Sequence, residues 1–213
     1  METRRQSPIG PAGRDRAGEE PGRLRTSFRG PYHPVVVTVE TANGTDSEES
    51  VKQLLEDLLA KYDTSRWTFT DHVVVEDSAT PHSHPVLTIG TRPIVRTPFG
   101  VLTTYLHEQI HWYVADRPDA TAAAVEDLKL LYPEVPDKEQ GGARDRESTY
   151  LHLIVNWLEL ESLRLLVGEK AADVTLRQTV DGPVYGWIYQ RAFEDHATLA
   201  TVVSRHRLDD LIR

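Results

Sequence analysis

The run Thr104-Tyr105-Leu106-His107-Glu108-Gln109-Ile110-His111-Trp112-Tyr113 contains one charged side chain, Glu108, in an otherwise uncharged stretch. Phe99, Leu102, Leu106, Ile110, Tyr113 and Val114 recur at helical spacing, so a helix is expected here. Thr97 is placed to cap it and Pro98 suits the first helical position, while Gly100 weakens the first turn slightly. Residues four apart on a helix lie on one face about a turn apart, so His107 and His111 can hold one ion with Glu108 standing beside them. Two nitrogen donors and a carboxylate are the groups needed to bind a divalent metal and to take a proton from water bound to it. The apolar surroundings are what a site that excludes bulk water requires.

The segment Thr104 to Tyr113 resembles the active-site helix of the HExxH metallopeptidases, the zincins. The resemblance implies a zinc ion on His107 and His111, Glu108 as general base and proton shuttle, and a third protein ligand supplied later in the chain. It also implies a small sheet beside the motif helix, with an edge strand able to pair with an extended peptide. A metzincin would continue as HExxHxxGxxH; Val114 stands in place of that glycine and Pro118 follows shortly. The resemblance therefore turns toward the gluzincins, which take their third ligand from a later helix. Gluzincins often carry an acid four positions after the ligand glutamate, whereas position 163 is Leu163.

The strongest later helix is expected from about Ala143 to Val167, closed by Gly168. Its stretch from Leu151 to Leu160 is largely apolar, interrupted by His152, Asn156 and Glu159. Spacings of four and three put these on one face. An imidazole, an amide and an acid on an apolar strip cost several kcal/mol unless a cation or hydrogen bonds compensate them. Glu159 is the first choice for third ligand, with His152 the rival and Glu147 and Glu161 further behind. If Glu159 binds zinc, His152 lies about 10 Å along the axis, placed to polarise an oxyanion, and Asn156 between them is placed to orient a ligand or bind substrate.

At 213 residues the chain has length for one domain and a real core. It has no cysteine, which removes disulfides, thiolate metal sites and a cysteine nucleophile and leaves His and carboxylate as strong ligands. Net charge is −9, yet the first thirty residues carry seven arginines against four acids. That segment is rich in Arg, Pro and Gly and reads as a disordered tail over residues 1–30, with a single domain over 31–213. No nucleic-acid role is expected of an acidic body. No membrane span and no secretory leader are apparent, so the cytoplasm is the expected location. Oligomeric state is not readable.

The domain is expected to open with a strand from Pro34 to Glu40, rich in β-branched residues, ending at the turn Asn43-Gly44. Thr45 with Glu48 forms a capping box for a helix reaching Ala60, striped by Val51, Leu54, Leu55, Leu58 and Leu59. Further strands are expected from about Trp67 to Glu76 and from Pro85 to Gly90, continuing toward Arg96. His82 and His84, flanked by prolines, read as an exposed loop rather than metal ligands. An amphipathic helix is expected over Asp119 to Leu131, followed by a loop to Gly142. Tyr185, Trp187, Tyr189 and Phe193 read as core packing before a helix ending near His206, with a tyrosine among them able to donate to an oxyanion.

These readings combine into an α+β, zincin-like fold: a small N-terminal sheet with a helix, then a mainly helical half carrying the metal site. The expected activity is zinc-dependent hydrolysis of a peptide or amide, with His107, His111 and Glu159 on Zn2+, Glu108 and His152 catalytic and Asn156 at the substrate. A non-haem iron enzyme on a His/His/carboxylate set is the alternative, and a non-catalytic zincin-like binding domain is another.

Overall fold

A computed structural model describes residues 36–92, 99–182 and 184–213. The arginine-rich tail, Thr97, Pro98 and the extension of the third strand toward Arg96 lie outside the described residues. The strands are β1 (Thr38–Thr41), β2 (His72–Glu76) and β3 (Leu87–Gly90), and they form one parallel sheet in the order β1-β2-β3. Between β1 and β2 the chain crosses over through helix α1 (Asp46–Lys61). The Thr45 side chain accepts the Glu48 N–H and the Glu48 carboxylate accepts the Thr45 N–H, completing the expected capping box. That carboxylate also accepts N–H bonds from Asn43 and Asp77, so one buried acid ties the β1 turn, the start of α1 and the end of β2 together.

Helices α2 (Gly100–Ala115), α3 (Pro118–Leu131), α4 (Arg146–Val167), α5 (Glu169–Val180), α6 (Gly186–Glu194) and α7 (His196–Arg205) make up the rest, giving a mixed but mostly helical domain. α4 touches α2, α3, α5, α6 and α7. A helix enclosed in this way must be apolar around most of its circumference, and 13 of its 22 residues are buried. Gly168 closes it at φ 88°, in the left-handed region that favours glycine. Among the described residues no helix is long and apolar enough to cross a membrane.

The strands are shorter than their sequence patterns. Val36 and Val37 precede the paired part of β1, and Ser65–Trp67 form a short 3-10 turn ahead of β2. The residues between that turn and β2 are held by Gln109 of α2, whose side chain accepts the N–H groups of Phe69 and Thr70 at 2.7 and 3.0 Å and donates to the Thr70 carbonyl at 2.7 Å. Tyr105 joins Thr68 at 2.9 Å, and Tyr113 donates to the Leu208 carbonyl at 3.1 Å. These bonds fix the rotation of α2 about its axis and thereby the direction in which His107, Glu108 and His111 point. Beyond β3, His82 pairs with Thr88 in an antiparallel bridge, so the chain's own segment meets the edge of the sheet there.

Candidate metal centre

α2 and α4 pack against each other with the motif facing the later helix. Ring nitrogens of His107, His111 and His152 all lie within 4.8 Å of one another. The Nε2 atoms of His107 and His111 are 3.3 Å apart. Two nitrogens each bound at 2.0–2.1 Å to one tetrahedral zinc stand about 3.3 Å apart, so this edge already has the separation a metal needs. It is long for a hydrogen bond.

Tautomers follow from the partners of the other ring nitrogens. His152 Nδ1–H donates to the Ser148 carbonyl one turn back, at 2.7 Å, which leaves its Nε2 lone pair free. His107 Nδ1–H donates to Glu159 Oε2 at 2.8 Å, likewise leaving Nε2 as a donor toward the cluster. Burial and the neighbouring histidines hold His111 down to about 2 and His152 down to about 3, so both are neutral near pH 7. Burial would also depress His107, but the hydrogen bond and charge of Glu159, with the charge of Glu108, outweigh it and raise that group. The donor chemistry fits a divalent metal: three imidazoles converge, two of them, His107 and His152, oriented by hydrogen bonds from their far nitrogens.

Glu159 therefore occupies a different place from the one expected of a third ligand. It lies on the Nδ1 edge of His107, while the cluster forms on the Nε2 edge, and His152 supplies the third donor from α4. The two-turn separation of His152 and Glu159 is real, but α2 crosses α4 so that its histidines converge on His152. The carboxylate of Glu159 is 1% exposed and receives Tyr189 O–H at 3.1 Å on Oε1 and 2.9 Å on Oε2. Tyr189, assigned from sequence to core packing, thus braces the acid that orients His107. Asn156 shares the expected face but is fully buried, and neither of its amide atoms finds a partner among the described residues. It lies outside the lining of the cleft beside the cluster.

The cleft beside the cluster has a volume of about 360 Å³ and is bordered by His107, Glu108, Glu159, Tyr185, Tyr189 and Thr104, among others. Glu108 is 6% exposed. Burial raises its pKa, opposed by the charges of His107 and His82, so it is a stronger base than an ordinary carboxylate. Tyr185 stacks on His152 at 4.4 Å between ring centroids and on His107 at 5.6 Å. Burial, together with the charges of Glu108 and Glu159, pushes its phenol up to about 12, so it remains a proton donor near neutrality. Its backbone is left-handed at φ 58°, an uncommon state for an aromatic residue.

His82 and His84 are exposed, as expected, yet their loop is fixed rather than free of the site. Trp112 Nε1–H donates to the Ser83 carbonyl at 2.9 Å, and the His84 ring stacks on Trp112 at 4.0 Å. Gly141 and Gly142, too weak a pattern to mark a phosphate loop, have a packing reason: a Cβ on Gly142 would run into the Pro136 carbonyl. Comparison with protein-family models, curated proteins and solved structures finds no match to the chain.

Proposed function

We propose that this protein is a zinc-dependent hydrolase of peptide or amide bonds, zincin-like in its motif helix, with His107, His111 and His152 as metal donors and Glu108 as general base. The observation that carries the reading is the convergence of a third imidazole, from a separate helix, on the HExxH pair at the wall of a cleft that Glu108 also borders. His107, His111 and His152 would hold the zinc ion, which would supply a Lewis acid and a bound water with a pKa of roughly 7.

The chain's own groups do the rest. Glu108 accepts a proton from the attacking water on its carboxylate and returns it to the departing amine, a role suited to its raised basicity. Tyr185 O–H donates to the carbonyl oxygen as negative charge develops there, the task first assigned to His152. Glu159, braced by Tyr189, holds His107 in the Nδ1–H tautomer and keeps its ring turned toward the cluster.

The non-haem iron alternative rested on two histidines and one carboxylate as donors. With Glu159 hydrogen-bonded behind His107, the donors that converge among the described residues are three imidazoles, which favours the zinc reading over that donor set. A closed four-ligand structural site would serve a non-catalytic domain, whereas the cluster has three members among the described residues. The test is Glu108→Gln in zinc-loaded protein. Zinc content is expected to stay stoichiometric while hydrolysis falls by about 10²- to 10⁴-fold; undiminished turnover would remove Glu108 from the chemistry.

A further inference from the structure

A second cleft, of about 520 Å³, is bordered by the next residues of three of the elements that border the first. Three walls make the same step across the histidine cluster. On α2, Thr103, Thr104, His107 and Glu108 border the first cleft, while His111, Val114 and Ala115 border the second. In the loop before β3, Thr80 and Pro81 face the first and Ser83 and His84 the second. On α4, Glu159 lies at the first and Leu151 at the second, with His152 between them in sequence. His107 thus borders the first cleft and His111 the second, so the paired rings stand between the two.

From this placement we infer that the substrate is a chain continuing on both sides of the bond that is cut, so that the enzyme cleaves internal bonds. The inference rests on the hydrolase reading above. The occupant of the second cleft is an uncharged apolar side chain of that substrate. Val114, Ala115, Ala122, Val125 and Leu151 present carbon to it, and the two acids on its border are already engaged, since Lys129 bonds Glu126 at 2.9 Å and Glu147 at 2.8 Å. Continuity with the cluster through His111 places that side chain next to the reacting bond.

The test uses the full zinc-loaded chain and a pool of ten-residue peptides of randomised sequence, in one arm with free ends and in the other acetylated and amidated, with products read by mass spectrometry. Cleavage at internal bonds in both arms is expected, with apolar residues enriched on one side of the cut. Ala122→Trp and Ala115→Trp, which fill the second cleft from exposed positions on two helices, are each expected to lower kcat/KM on the best peptide at least about tenfold with bound zinc unchanged. Cleavage confined to the terminal bond, loss of cleavage on blocking the ends, or indifference to both tryptophans overturns the inference and leaves the hydrolase reading standing. Absence of any cleavage in either arm overturns both.

Discussion

Exchanging the roles of Glu159 and His152 is the sharpest test of the metal centre. Glu159→Gln keeps the shape of the side chain and an oxygen able to accept from His107 Nδ1–H, now 2.8 Å away, but removes the charge. A hydrogen bond to a charged group contributes about 1.5–3 kcal/mol against roughly 1 for a neutral one. Loss of a carboxylate partner behind a ligating histidine typically costs about 10- to 100-fold in metal affinity, or about 1.4–2.7 kcal/mol. Glu159→Gln is therefore expected to bind zinc one to two orders of magnitude more weakly while still binding one ion per chain. His152→Ala removes a donor outright and is expected to lose more than that. Competition against a fluorescent chelator gives both affinities, and zinc per chain after dialysis gives the stoichiometry. Circular dichroism of the metal-free variants shows that each is folded. The reasoning is refuted if Glu159→Gln abolishes zinc binding while His152→Ala retains it, because the carboxylate would then be the ligand and His152 a bystander.

Tyr185→Phe, which keeps the ring stacked on the histidines and deletes the donor, is expected to lower kcat by about 10²- to 10³-fold with zinc affinity preserved; equal losses in zinc binding would reassign the ring to holding the metal site. Asn156→Leu replaces two unpaired buried polar atoms by carbon and is expected to raise stability by about 1–3 kcal/mol in urea unfolding; a lowered midpoint with unchanged slope would contradict this. For Glu48, burial alone would raise the pKa, but hydrogen bonds from Asp77 N–H, the Asn43 side chain and N–H, and Thr45 N–H hold it down to about 2 from an ordinary 4.5. A folded pKa below the unfolded one contributes stability above pH 4.5 that is lost as pH falls toward 2. Glu48→Gln should therefore be less stable than the parent at pH 7 and should show a flatter acid-unfolding curve over that interval, and an unchanged curve would remove Glu48 from the acid transition.

The parts of this domain that were legible in sequence are those decided by local physics. Thr45 and Glu48 announce α1 because a capping box satisfies its own donors within four residues, and Gly168 announces the end of α4 because few other residues tolerate its φ. Of the polar stripe His152, Asn156 and Glu159, the fold brings His152 and Glu159 to the histidine pair and leaves Asn156 buried without a partner among the described residues. Which member joins the His107–His111 pair was not legible, because it depends on the level at which α2 crosses α4, and helical spacing does not encode that. Tyr189 was hidden for the same reason: its partner Glu159 is thirty residues away and its neighbours read as ordinary core. α5 was overlooked altogether, although Ala172, Thr175 and Leu176 bury one side of it. The β2 strand was read too long at Trp67 because Gln109, forty residues later in sequence, takes the N–H of Phe69 that a ladder would have used.

The left-handed backbone of Tyr185 has an evolutionary consequence. A non-glycine residue in that state costs of order 1–3 kcal/mol, a noticeable share of the roughly 5–15 kcal/mol by which domains of this kind stay folded. Selection for durability alone would drift this position toward glycine or asparagine. A lineage that keeps an aromatic ring there accepts a lower melting temperature in exchange for what the ring does, so stabilising substitutions gathered by directed evolution at this turn should trade thermal tolerance against turnover.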